Sequence, residues 1–135
     1  MAITVVDYSD VYFAEIKEGE VPRRRDGKFV LMANNGNRFA VFSPRGLSFY
    51  HANIVERFLS LQGIGGQYNA KRDSFQPQPS TWEILGGGHW QLDEEQGTLR
   101  LFGRSQAYGG VDLEALADQL RSVDGFPEVG QIAVG

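Results

Sequence analysis

Between residues 28 and 66 the hydrophobic pattern switches from strand-like alternation to helical steps, and this switch limits the possible folds more than any other feature. "KFVLMAN" (28–34) and "NRFAVFS" (37–43) read as strands, joined by an Asn-Asn-Gly turn signal of the kind that closes hairpins. In the following "SPRGLSFYHANIVERFLSLQGIGG" (43–66), Phe49, Ala52, Val55, Phe58 and Leu59 recur at three- and four-residue steps, one apolar face of a helix. Ser48 is its expected N-cap, and the glycines at 63–66 stop it. "VDLEALADQLRSV" (111–123) repeats the helical pattern, with Asp112 as the expected N-cap. Two amphipathic helices among strands each need an apolar surface to cover, so an α/β fold is expected, a sheet flanked by two α-helices.

The remaining segments fill in the sheet. "DVYFAEIK" (10–17) suggests a strand, and the polar "EGEVPRRRDG" (18–27) an exposed loop. "QYNAKRDSFQPQPS" (67–80) reads as a strand followed by a loop, and "TWEILGGG" (81–88) as a strand ending in three glycines. "HWQLDEEQG" and "TLRLFGRS" form a hairpin around 95–97, and "GFPEVGQIAVG" (125–135) supplies a Gly-Pro break and a final strand. There is no internal repeat and no low-complexity tract. A single domain over 1–135 is expected, with 1–27 a divergent N-terminal strand and loop.

Composition removes several function classes. The chain has no cysteine, which excludes disulfides, thiolate nucleophiles and cysteine-containing zinc sites. His51 and His89 are the only histidines and form no HxH or HExxH spacing, so no metal is expected. A net charge of −4, from 13 basic and 17 acidic residues, argues against a nucleic-acid partner. No apolar run approaches the ~20 residues that span a bilayer. "MAITVVDYSD" lacks a basic start and a cleavable apolar segment, so a cytoplasmic, soluble protein without a membrane partner is expected. The basic run at 23–25 reads as a solvated loop, with docking of a phosphorylated partner as the alternative.

Three segments remain that can carry chemistry. His51 falls in the first turn of the first helix, where free amides and the positive end of the dipole favour an anion and lower the imidazole pKa. Taken alone, His51 is by default a packing or helix-capping residue. The glycines at 86–88 allow close approach to a strand backbone, or form a bulge or wide turn. "GRSQAYGG" (103–110) precedes the second helix, an arrangement that can turn several amides toward one oxyanion, with Ser105 adding a hydroxyl. It matches neither the Walker pattern nor GxSxG.

Taken together, "YHANI" (50–54), "ILGGG" (84–88) and "SQAYGG" (105–110), in this order and at these separations, resemble the motifs of the small phosphohistidine phosphatase, or Janus/Ocnus, family. The resemblance runs from residue 28 to the end of the second helix. It implies a compact α/β fold with a mixed sheet between two helices. It also implies hydrolysis of phosphoramidates without metal or cofactor, chiefly of phosphohistidine on a protein substrate, by a monomer. Carried over by position, His51 matches the essential histidine, as general base or nucleophile. Ser105 and Ala107, with Gln106 between them, match the phosphate-binding loop, and Lys28 matches a phosphate-holding lysine. The family pattern has an arginine directly after GGG, where this chain has His89; Arg45 and Arg104 are the nearby guanidinium sources. His89 either enters the pocket in the arginine's place or takes an exposed strand position. Tyr50 and Tyr108 are expected to buttress the site, and Trp82 and Trp90 to take core or rim positions. A phosphate- or phosphoprotein-binding regulatory module without turnover is the alternative function.

Overall fold

In the computed structural model, which describes residues 3–123 and 130–135, the chain runs β1 (Ile3–Asp7), a π-helical segment (Asp10–Ile16), β2 (Arg24–Asn34), β3 (Asn37–Pro44), α1 (His51–Leu61), β4 (Gly66–Tyr68), β5 (Phe75–Pro77), β6 (Trp82–Asp93), β7 (Thr98–Phe102), α2 (Leu113–Arg121) and β8 (Gln131–Val134). Six strands make one mixed sheet in the order β1-β3-β2-β6-β7-β8, and β4 with β5 forms a separate hairpin. The two outer pairs, β1 with β3 and β7 with β8, are parallel, and the pairs between them antiparallel. The α/β class expected from the alternating periods is the class observed. The Gly-Pro break at 125–127 lies outside the described residues.

The sheet is covered on both faces, and residue parity in its central strands decides which side chain meets which helix. Phe29 and Leu31 join Trp90, Leu99 and Leu101 under Leu116, Ala117 and Leu120 of α2. Val30 and Met32 point to the opposite face, under Ala52, Val55, Phe58 and Leu59 of α1. Lys28 shares parity with Val30, and His89 is offset by one from Trp90, so both stand on the α1 face. They are direct partners in the β2–β6 register. The hairpin between β2 and β3 closes on Asn35 and Gly36, both with positive φ (51° and 84°), the two-residue turn whose twist matches the strands.

Several local expectations change. The apolar run at 10–17 is π-helical, and the first strand is the β-branched segment Ile3–Asp7. Tyr8, Val11 and Tyr12 recur at helical steps, and a short apolar run does not separate the two periods. Ser48 does not cap α1. It is buried with its hydroxyl 2.7 Å from that of Ser43, and Tyr50 takes the N-cap position, its amide donating to Asn53 Oδ1 at 2.8 Å. Asp112 does cap α2, accepting from the Ala115 amide at 3.1 Å. Of the basic run, Arg24 and Arg25 belong to β2 and pair with acidic residues at the β6–β7 end: Arg24 Nε lies 3.2 Å from Asp93 Oδ2 and Arg25 Nη1 2.6 Å from Glu94 Oε1. The Arg24 side chain is exposed, and pairs of that kind contribute about 0–1 kcal/mol each. The Arg25 side chain is only 9% exposed and also donates to Ser9 Oγ and the Pro22 carbonyl. Among the described residues no helix is long and apolar enough to cross a membrane.

Candidate active site

The three glycines at 86–88 do not end a strand. They lie inside β6, which continues to Asp93, and each is approached by a different group. A Cβ on Gly86 would lie 2.6 Å from the Gly110 carbonyl oxygen. One on Gly87 would lie 2.9 Å from His51 Cδ2 and 2.4 Å from the Phe29 carbonyl oxygen, and one on Gly88 would meet the Phe29 ring at 2.8 Å. The glycines thus strip the strand of side chains where the imidazole of His51 lies against it.

His51 begins α1 and is 6% exposed. Its Nε2 lies 2.8 Å from the Gly88 carbonyl oxygen. A carbonyl only accepts, so Nε2 carries the proton and Nδ1 carries the lone pair. Burial pushes the His51 pKa down to about 4, and the charges of His89 and Lys28 act in the same direction, against the hydrogen bond to Gly88, which raises it. The lowering expected for His51 is present in direction, with desolvation as its leading cause where the helix dipole was expected to act. His51 is neutral throughout the physiological range.

A cleft of about 620 Å³ opens beside this ring, lined among others by Lys28, Arg45, His89, Gln106 and Ala107. Lys28 and Arg104, which also lines it, make no ion pair among the described residues. Arg45 sits at the rim, with 76% of its side chain exposed and Nη2 2.8 Å from Asp26 Oδ2. Among the described residues Asp73 is the single carboxylate that lines the cleft, against Lys28, Arg45 and Arg104, so this lining is cationic although the chain is net acidic.

The loop before α2 supplies amides. Ser105 N donates to the Gly87 carbonyl at 3.1 Å, Tyr108 N to Ser105 Oγ at 3.1 Å and Gly109 N to the Ser105 carbonyl at 2.9 Å. Gly87 N in turn donates to the Gly109 carbonyl at 3.0 Å, which fastens the loop to β6. Among the described residues the amides of Gln106 and Ala107 find no protein acceptor, and both residues line the cleft. Ser105 does not. It is fully buried beneath the loop, its hydroxyl bracing the turn. Tyr108 holds the loop's other side, its hydroxyl donating to the Phe75 carbonyl at 2.8 Å and accepting from the Phe75 amide at 2.9 Å.

His89 stands in the cleft and not at an exposed strand position. Its ring stacks on Phe102 with centroids 5.5 Å apart and meets His51 edge-on at 5.5 Å. Gly103, at φ +70°, leaves the space the ring fills; a Cβ there would lie 2.7 Å from His89 Cδ2. Burial, then Lys28 and Arg45, lower the His89 pKa. Tyr50, expected beside the site, lines the cleft, whereas sequence reasoning missed Phe49, Asp73 and Ser74 as lining residues. Phe49 was expected on the buried face of α1, but lies before the helix and is 73% exposed. Nothing local in the sequence marks Asp73 and Ser74, which the β4–β5 hairpin carries to the cleft.

Comparison with known proteins agrees with the motif spacing. The model of the Janus/Ocnus family (Ocnus) matches residues 28–129, well over half of the chain. No curated protein matches significantly.

Proposed function

The chain belongs to the Janus/Ocnus family, and from that premise we propose that it is a phosphatase cleaving the phosphorus–nitrogen bond of phosphohistidine in proteins. The observation that carries this reading is His51: a buried, neutral imidazole with Nε2 committed to Gly88 and a lone pair on Nδ1, bordering a cationic cleft. Phosphoryl transfer asks little covalent work of a protein beyond placing the nucleophile in line and neutralising the oxygens. Lys28, Arg104, and the amides of Gln106 and Ala107 are the groups available to hold those oxygens, with His89 and Arg45 adding donors at the cleft wall and rim.

Two routes are open to His51. In the first, Nδ1 attacks phosphorus, the Nδ1–P bond forms as the substrate N–P bond breaks, and the electron pair returns to the substrate imidazole. That ring leaves neutral when its other nitrogen is protonated, and water then hydrolyses the phosphorylated His51. In the second, Nδ1 takes a proton from the attacking water. Burial weakens Nδ1 as a base and as a nucleophile alike, and the Nε2–H to Gly88 bond stabilises the positive charge that either route places on the ring.

The deciding assay incubates the protein with a phosphohistidine peptide in EDTA. Phosphate release above a His51→Ala control is the expected result, and release equal to the control would end the enzyme reading. Label kept on His51 after rapid acid-free quenching with labelled substrate would select direct attack, and its absence the general-base route. A second reading, a binding module without turnover, draws on His89 in the arginine's place, because an imidazole lacks the planar fork that holds two phosphate oxygens. Saturable phosphopeptide binding in calorimetry without any hydrolysis would select it. On either reading the partner is a phosphorylated protein, and a cytoplasmic monomer without cofactor is part of the proposal.

The pH profile follows from the His51 pKa. The lone pair is present above about pH 4 and lost below it. After correction for spontaneous acid hydrolysis, kcat/KM should hold its neutral-pH level well below the ordinary histidine value of about 6.5 and fall only on approaching pH 4. A limb centred near 6.5 would show that another group controls the reaction.

A further inference from the structure

The cleft is much larger than the chemistry requires. At about 620 Å³ it lies within the ~300–1,000 Å³ range of pockets that enclose a ligand of several rings, and a phosphoryl group fills a small part of that. Its cations and free amides account for the phosphoryl end. They do not account for Phe49. That phenyl is 73% exposed, the most exposed of the large hydrophobic side chains among the described residues, and it lines the cleft two residues before His51. Tyr50, itself 39% exposed, meets it edge-on with ring centroids 4.7 Å apart. Together the rings make an aromatic lip beside a cationic floor. An occupant that uses both carries an anionic phosphoryl group and a flat apolar side chain near it.

Resting on the phosphohistidine reading above, we propose that Phe49 is a specificity-determining residue that seats an aromatic side chain immediately beside the phosphohistidine of a polypeptide substrate. The phosphoryl group enters toward Lys28 and His51, the polypeptide crosses the lip, and the neighbouring ring stacks on the exposed phenyl. Asp73, the one carboxylate among the described lining residues, disfavours an acidic residue in the cleft. The substrate is thereby a phosphorylated polypeptide with an aromatic flank, in preference to a small phosphoramidate or a phosphohistidine among glycines or acids.

The test compares three substrates: a phosphohistidine peptide flanked by phenylalanine, the same peptide flanked by glycine, and phosphoramidate, which has no flank. For the wild-type protein, kcat/KM for the phenylalanine-flanked peptide should exceed that for the glycine-flanked one by about tenfold, a difference typical of one well-seated ring. In Phe49→Ser the ratio should collapse to below about twofold, and in Phe49→Trp it should be kept. Phosphoramidate turnover reports on the phosphoryl site alone and should suffer far less than the aromatic-flanked peptide. A ratio near one in the wild type, or one that Phe49→Ser leaves in place, overturns the proposal while the phosphatase reading stands. Failure of the wild type to hydrolyse phosphoramidate and both peptides overturns the phosphatase reading and this proposal with it.

Discussion

Replacing His51 by alanine is expected to lower kcat/KM toward a phosphohistidine peptide by about 10³-fold or more, the loss typical when the attacking or proton-accepting group of a site is removed. That corresponds to about 4 kcal/mol of transition-state stabilisation. Because the ring is buried against β6, the same change could weaken the fold, so His51→Gln is the informative companion. Its side-chain amide can still donate to the Gly88 carbonyl while offering no ring lone pair. Loss of turnover in both variants, with the Gln protein melting close to wild type, assigns the effect to chemistry; near-normal turnover in the Gln protein would refute the role given to Nδ1.

The same residue makes the fold acid-sensitive. Its folded pKa of about 4 lies below the unfolded value of about 6.5, so the native state favours the neutral ring. The stability tied to that preference is complete above pH 6.5 and is lost progressively as pH falls toward 4. A lowering to about 4 amounts to about 3 kcal/mol. Denaturant titrations at pH 7 and pH 4.5 should therefore show a smaller drop for His51→Gln than for the wild type.

The second large effect is expected at Gly87. Its backbone is not in the left-handed region, so an alanine there meets no conformational strain; the obstacle is space. The new Cβ would lie 2.4 Å from the Phe29 carbonyl oxygen, which the β2–β6 ladder holds in place, and 2.9 Å from His51 Cδ2. Either the central strand pair shifts or the imidazole moves off the strand and away from Gly88. Overpacking of this kind costs about 3 kcal/mol, roughly 10 °C in Tm for a domain of this size. Activity should fall with it, because the hydrogen bond that fixes the His51 tautomer is broken. Gly63→Ala is the control: its φ of +76° is strained for alanine but nothing lies within 4 Å, so a cost of about 1 kcal/mol is expected. Equal melting temperatures for the two variants would show that the close approach at Gly87 is relieved without penalty.

The elements the sequence made legible are those whose signal is local. The hairpin from β2 to β3 announces itself by Asn35-Gly36, where two successive positive φ angles are needed. The helices α1 and α2 are visible in their periodicity, and Asp112 in its capping position. His51, the glycines at 86–88 and the loop at 103–110 stood out because residue type and order along the chain are themselves the motif. The N-terminal strand and π-helical segment were misread because Val11, Tyr12 and Phe13 form a short apolar run that suits either period. Arg24 and Arg25 were read as a loop because their partners, Asp93 and Glu94, lie about seventy residues away.

What only the tertiary structure decided is which side of a surface each residue faces. Sheet parity put Lys28 and His89 side by side on the α1 face, and no property of either residue alone specifies that. Ser105 has the composition of an oxyanion donor, yet the pairing of its loop with Gly87 turns it beneath the cleft and leaves Gln106 and Ala107 outside. Phe49 continues the apolar spacing of α1, but the helix starts two residues later and leaves it at the cleft mouth. Desolvation, the main cause of the low His51 pKa, exists only once β6 and α1 have closed over the ring. The sequence by itself determined the family, the class of fold and the list of reactive groups. The fold determined their burial and juxtaposition, because both arise from residues distant in the chain and neither is encoded at a single position.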